Sequence, residues 1–238
     1  MAGAQCCENP PELIAGGSAA GSVEEFGGLS SYVSGPADSG FAVLLVSDVF
    51  GYEAPNLRKL ADKIGDAGFF AVVPDLFRGD PFAPEKSGLG DWIKGHGTDK
   101  GFEDAKPVVE ALKAKGVAKI GAAGFCWGAK VVVELSKEAH IQAAVLLHPS
   151  FVTLEDIHGV KVPISILGAE IDKASPPELL IQFEAALKSK AEVDSFVKIF
   201  PGVGHGWSIR YDVSDAEAVK RAEEAHADLL QWLHKHLN

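Results

Sequence analysis

The stretch Gly124-Phe125-Cys126-Trp127-Gly128 sets a thiol between two glycines, at the end of an apolar run and ahead of a segment of helical period. A Gly-x-nucleophile-x-Gly pattern at a strand-to-helix junction turns the chain sharply enough to hold the central side chain out above a sheet. The helix start that follows favours a negative sulfur. The pattern therefore predicts Cys126 as a nucleophile that carries a covalent intermediate. Its rival is the usual fate of a free cysteine, a small buried hydrophobe, and the complete pattern at such a junction outweighs it.

A thiol nucleophile needs a base and a group to orient that base. Among eight histidines, His205 stands in Gly204-His205-Gly206-Trp207, where glycines free the backbone, and His148 stands in Leu147-His148-Pro149. For the acid, Gly168-Ala169-Glu170-Ile171-Asp172 offers Glu170 and Asp172. The chain order nucleophile, acid, histidine favours His205 over His148, because the base must come last. Asp172 is preferred to Glu170 because it sits deeper in the loop.

These side chains need elements to bring them together. Apolar runs at 41–47, 69–74, 119–125, 143–149, 162–168 and 195–200 alternate with segments of helical period at 55–68, 101–116, 127–139, 176–190 and 214–236. Runs apolar throughout, rather than alternating, predict parallel strands covered by helices on both faces. The last helix is expected to bury a stripe of Ala218, Val219, Ala222, Ala225, Leu229, Leu230 and Leu233. Residues 23–35 predict two short strands at an antiparallel edge, joined at Gly27-Gly28, and the Gly/Pro-rich stretch 79–101 predicts a long loop near the site. The sum is a doubly wound α/β domain over 23–238 after an N-terminal extension, 1–22. In such sheets ligands bind beyond the carboxyl ends of the strands, where Asp48, Asp75, Cys126, Ser150, Asp172 and His205 all fall.

Composition narrows the function. A chain of 238 residues can bury roughly 70% of its unfolded surface, and 47% hydrophobic with 23% charged residues is an ordinary globular balance. A net charge of −11 repels phosphate backbones and anionic lipid, so neither nucleic acid nor membrane is an expected partner. Three cysteines, two of them adjacent, do not make a disulfide scaffold and suggest a reducing, cytoplasmic setting. Cys6 and Cys7 are read as parts of a terminal segment without a chemical role. A monomer is the working expectation.

The ordered motifs Ser47-Asp48-Val49-Phe50-Gly51, Pro74-Asp75-Leu76-Phe77-Arg78-Gly79-Asp80, the Cys126 turn, Gly168–Asp172 and Gly204–Trp207 resemble the dienelactone hydrolase (carboxymethylenebutenolidase) family of the α/β-hydrolase fold, over roughly residues 23–238. Many similar plant chains carry the label endo-1,3;1,4-β-D-glucanase. The resemblance implies an α/β-hydrolase fold and a Cys126–His205–Asp172 triad. It also implies oxyanion-stabilising N–H groups at Val49 and Trp127, and no metal or organic cofactor. Where bacterial members pair a glutamate with the resting thiol, this chain has the shorter Asp48. Arg78 and Arg210 are the nearest matches to two arginines that hold a substrate carboxylate, with Trp207 as a further substrate contact.

The expected activity is hydrolysis of a small ester or lactone. A thiolate is a poor nucleophile for amides, so activated esters and enol-lactones are better substrates than peptides. Two other readings compete. A glucanase would need a pair of carboxylates across one glycosidic bond, drawn from Asp48, Glu170 and Asp172, and would leave the thiol idle. A lactone-binding protein would need a pocket without turnover.

Overall fold

Six of the eight strands in this computed structural model, which describes residues 4–11 and 20–238, form a parallel set, and all but the last of the six, which is largely part-exposed, have little or no solvent contact along most of their length. They are β3 (Phe41–Val46), β4 (Phe70–Pro74), β5 (Lys119–Phe125), β6 (Ala143–Leu147), β7 (Ile164–Ile171) and β8 (Ser195–Gly204). All six run parallel, and β1 (Ser22–Phe26) and β2 (Leu29–Ser34) form an antiparallel edge, giving the order β1-β2-β4-β3-β5-β6-β7-β8. The parallel sheet and the antiparallel edge are those expected from the sequence.

Side-chain alternation along each strand divides the core in two. Ala42, Leu44 and Val46 point into one layer, with α2 (Leu89–Gly95), α3 (Thr98–Ala114), α4 (Trp127–Lys137), α5 (Leu154–Gly159) and α6 (Pro177–Lys188). Val43 and Leu45 point into the other, with α1 (Pro55–Asp66) and α7 (Ala216–Leu237). Because β4 lies on one side of β3 and β5 on the other, successive crossovers leave β3 in opposite directions. That reversal opens a crevice beyond the carboxyl ends of β3 and β5, where Asp48 and Cys126 follow their strands.

Three local features depart from the sequence expectation. The stretch 79–101 is not a continuous loop: it contains α2 and the first turn of α3. Burial of Trp92 in an aromatic cluster supplies the reason, with ring centroids 4.9 Å from Phe77 and 5.9 Å from Phe82. The short α5 forms behind a capping box, in which the Thr153 hydroxyl accepts from the Asp156 N–H and the Asp156 carboxylate accepts from the Thr153 N–H. On α7 the buried stripe runs through Ala222, Ala225, His226, Leu229, Trp232, Leu233 and Leu237, while Ala218, Val219 and Leu230 keep partial exposure. No helix among the described residues is long and apolar enough to cross a membrane.

Ahead of β1, residues 1–3 and 12–19 lie outside the described residues. Ala4–Cys7 forms one 3-10 turn and buries Cys6 completely in the core. The sequence reads Cys6 as part of an ordered or frayed terminal segment without a chemical role; the segment is ordered, and the turn brings the thiol into the crevice.

Candidate active site

Cys126 ends β5 and begins α4 with φ 52° and ψ −110°, a backbone conformation costly for any residue with a Cβ. The flanking glycines are required by close approach. A Cβ on Gly128 would lie 2.2 Å from the Val46 carbonyl oxygen, and one on Gly124 would lie 2.4 Å from the Gly128 carbonyl oxygen. Hydrogen bonds hold the turn on the sheet: Cys126 N–H donates to the Leu147 carbonyl at 3.1 Å, and the Ser150 N–H donates to the Cys126 carbonyl at 3.0 Å.

His205 enters from the loop after β8, and its Nδ1 is 2.7 Å from Asp172 Oδ2. Asp172 is itself fixed by the N–H groups of Ala174 at 2.7 Å and Ser175 at 3.3 Å. With Nδ1 bound to the carboxylate, Nε2 is turned away from it and has no hydrogen-bond partner among the described residues. Burial opposes charge on His205, but Asp172 and the Cys6 sulfur outweigh it and hold the imidazole above its ordinary pKa. Burial also works against the Asp172 charge, and the His205 contact still carries its carboxyl below the usual range.

The alternatives take other places. Glu170 is exposed and accepts from the Gly202 N–H at 2.7 Å. His148 lies behind His205, with ring centroids 5.0 Å apart, and its Nε2 is 2.9 Å from the Ser208 hydroxyl. Burial, together with the charges of His205 and Arg210, keeps His148 neutral, well below its ordinary pKa.

Cys6 is the residue that sequence reasoning missed. Its Sγ, the Sγ of Cys126 and a ring nitrogen of His205 lie within 4.8 Å of one another. Ser150 Oγ stands 3.4 Å from each sulfur. The three donors are of the types that hold soft cations such as zinc. The two thiols are electrostatically unlike. Cys6 is lowered to about 4, first by the Cys126 thiol donating to it and then by His205, against the cost of burial. Burial beneath Cys6 pushes Cys126 well above its ordinary value. The helix start after Cys126 favours a thiolate there, but burial and the neighbouring sulfur prevail. Nothing in the spacing from Cys6 to the elbow announces the contact; an adjacent cysteine pair is the only trace in the sequence.

Asp48 pairs with Arg210, Oδ2 to Nε at 3.2 Å, and its Oδ1 accepts from the Phe50 N–H at 3.0 Å. Burial raises the Asp48 pKa, with Arg210 opposing. Arg210 Nη1 donates to the carbonyls of Cys6 at 3.1 Å and Glu8 at 2.7 Å, and Nη2 has no partner among the described residues. Gly206 gives the guanidinium its room, since a Cβ there would lie 2.2 Å from Arg210 Nε. Arg78 is exposed and bonds Asp104 at 3.0 Å. Trp207 packs on His148 at 5.4 Å and on Phe200 at 5.3 Å. Val49 and Trp127 are buried at the ends of β3 and β5, each directly following Asp48 or Cys126. A cleft of about 780 Å³ beside the site is lined by Asn9, His205, Trp207 and Arg210, among others.

A parallel sheet with a reversal at β3, a strand-to-helix elbow after β5 and a histidine–carboxylate pair at the same edge define an α/β-hydrolase-like protein. The dienelactone hydrolase family model matches residues 29–237, and the chain belongs to that family of hydrolases. It is 43% identical over 194 residues to a Zea mays protein named endo-1,3;1,4-β-D-glucanase, a match spanning 79% of this chain and 63% of the maize protein, less than two thirds of its length. It is 34% identical over 217 residues to the Xenopus tropicalis carboxymethylenebutenolidase homolog, covering 88% of each. Among solved structures, a Klebsiella pneumoniae protein provisionally described as a dienelactone hydrolase superposes with a TM-score of 0.71 at 21% identity, covering 87% of this chain and 93% of that one. At that identity the likeness concerns the fold.

Proposed function

We propose that this protein hydrolyses small esters or lactones through a Cys126–His205–Asp172 triad. One observation carries the reading: the elbow thiol and an imidazole bound to a carboxylate at 2.7 Å, with its other nitrogen unpartnered, occupy one buried crevice. In this account His205 Nε2 takes the Cys126 proton, the thiolate attacks the carbonyl, and the N–H groups of Val49 and Trp127 stabilise the oxyanion. The imidazolium then protonates the leaving alkoxide or enolate, and His205 activates water against the thioester. Asp172 holds the ring in the tautomer that leaves Nε2 free to accept.

A substrate carboxylate has a natural partner in Arg210, whose Nη2 is unpartnered and whose charge is only partly offset by Asp48. Trp207 lines the same cleft and supplies an apolar wall. Arg78 can join them only by leaving Asp104. Asp48 serves, on this reading, to hold Arg210 and to discourage a premature charge on Cys126, which its own charge raises. Three free thiols support a reducing compartment, and on this reading the protein works in the cytoplasm.

The name of the maize relative favours a second reading, glucan hydrolysis. Its chemistry needs two carboxylates facing one bond, whereas Asp172 is engaged by His205, Asp48 by Arg210, and Glu170 faces solvent. The ester reading gives the elbow thiol, His205, Asp172 and Asp48 each a role in these existing contacts and is preferred. The test is Cys126→Ala assayed on an aryl acetate and a dienelactone: loss of both activities is expected, and unchanged turnover of both sinks the proposal. Release of reducing ends from mixed-linkage glucan that survives Cys126→Ala but not Asp172→Asn would favour the glucanase.

A further inference from the structure

Cys126 has no exposed surface, and a second thiol, that of Cys6, lies close against it. The turn Ala4–Cys7 is held over the crevice by polar contacts at several points. Gln5 accepts from the Lys173 N–H at 2.6 Å and donates to the Ile171 carbonyl at 3.3 Å, while Arg210 grips the carbonyls of Cys6 and Glu8. Cys6 sits on this turn and not on a strand of the sheet, so closing the short gap between the two sulfurs needs no strand to move. Both sulfurs already share the Ser150 hydroxyl at 3.4 Å, and His205 stands beside them.

Two thiols packed together with a proton-transfer group are the requirements for a dithiol switch. We propose that Cys6 and Cys126 form a reversible disulfide, made by a hydroperoxide, that takes the Cys126 sulfur out of use. Its effect on activity rests on Cys126 being the nucleophile; the bond itself does not. In the first step the Cys6 thiolate attacks the peroxide oxygen. The O–O bond breaks, Cys6 becomes a sulfenic acid, and the departing alkoxide or hydroxide takes a proton from the His205 imidazolium. In the second step Cys126 gives its proton to His205 and attacks the Cys6 sulfur. The S–O bond breaks and the hydroxide leaves as water with that proton. Two thiols and one hydroperoxide thus yield a disulfide, one alcohol or water, and one further water. The cleft lined by His205, Arg210 and Asn9 offers a small peroxide a route to the imidazole side of the pair.

The resolving arrangement also protects the nucleophile. A sulfenic acid that condenses with a neighbouring thiol stops short of the irreversible sulfinic stage. Reduction by a dithiol then restores both thiols, and with them a Cys126 sulfur able to attack.

The experiment treats the full chain with hydrogen peroxide and follows aryl acetate hydrolysis together with non-reducing peptide mapping. Expected are a Cys6–Cys126 linked peptide, an intact mass lower by two hydrogens, at least a tenfold loss of activity, and recovery with dithiothreitol. Cys7→Ser is expected to behave as the unaltered protein. Cys6→Ser is expected to lose activity without recovery as Cys126 goes to the sulfinic acid. A linked peptide that uses Cys7 instead, the absence of any Cys6–Cys126 link, or full recovery in Cys6→Ser would each overturn the proposal. A Cys6–Cys126 link in a protein whose reduced activity survives Cys126→Ala supports the disulfide and overturns the hydrolytic role of Cys126.

Discussion

Arg210 Nε lies 3.2 Å from Asp48 Oδ2, and both side chains are about 1% exposed. Two charges so deeply buried are stable only together, because either one left alone bears its full desolvation cost. The pair ties the end of β3 to the loop after β8, and Arg210 extends the tie to the N-terminal turn through the carbonyls of Cys6 and Glu8. Arg210→Met is expected to destabilise the fold by about 3–5 kcal/mol at neutral pH. Adding Asp48→Asn to it should recover part of that loss, since no lone charge remains. Urea unfolding of Arg210→Met, Asp48→Asn and the double variant checks this; a double variant as unstable as the sum of the singles would mean the two charges act independently.

The Asp172 contact to His205 gives a prediction on rate rather than stability. Asp172→Asn preserves shape but can donate to Nδ1, which places the imidazole proton on the wrong nitrogen. Turnover of an aryl acetate is expected to fall by about four orders of magnitude with little change in KM. A loss of less than tenfold, in a variant with an unchanged melting temperature, would remove Asp172 from the mechanism.

The elbow is sensitive to a single methyl group. Gly128→Ala drives a Cβ to 2.2 Å from the Val46 carbonyl oxygen, between two backbones that have no side chain to move aside. The expected cost is about 3 kcal/mol or more, with activity lost alongside stability. Gly90, on α2, has nothing within 4 Å of an added Cβ, and Gly90→Ala is expected to be neutral or to stabilise by up to about 1 kcal/mol. Thermal melts of the two variants should therefore move apart.

Stability should also depend on pH through His226. Burial lowers its pKa from 6.5 to about 4, and its Nε2 is 2.8 Å from the Ser208 carbonyl. The unfolded chain binds this proton near pH 6.5 and the folded one only near pH 4, so acid favours unfolding across that window. Between the two values the fold loses about 3 kcal/mol from this group and gains it back as pH rises. His226→Gln, which does not titrate, should flatten the stability profile between pH 6.5 and 4. An equal slope in both proteins would mean that another group carries the acid sensitivity.

Much of the fold and of the candidate site is legible in the sequence. Parallel strands announced themselves as short runs apolar throughout, because helices cover both faces, and Cys126 announced itself because its turn demands glycine on either side. His205 and Asp172 followed from chain order and from lying after strands. What stayed hidden depends on contacts between distant segments. Trp92 makes a helix of a glycine-rich stretch by entering the cluster of Phe77 and Phe82, a tertiary effect that local propensity does not carry. Arg210 matches a substrate-carboxylate position in the sequence, but its pairing with Asp48 joins residues far apart along the chain that meet only at the sheet's carboxyl edge. Cys6 was hidden most completely, since nothing in a terminal cysteine pair tells where a 3-10 turn will lay it.

The central claim is that Cys126, and not the thiol covering it, carries the acyl group. Its most direct test is rapid acid quench of the full chain during the first turnover of an aryl acetate, followed by peptide mapping. The account predicts an acetyl thioester on Cys126 that forms and decays at the rates of turnover, absent in a folded Cys126→Ala variant. An acetyl group found instead on Cys6, or turnover undiminished in Cys126→Ala, would contradict it.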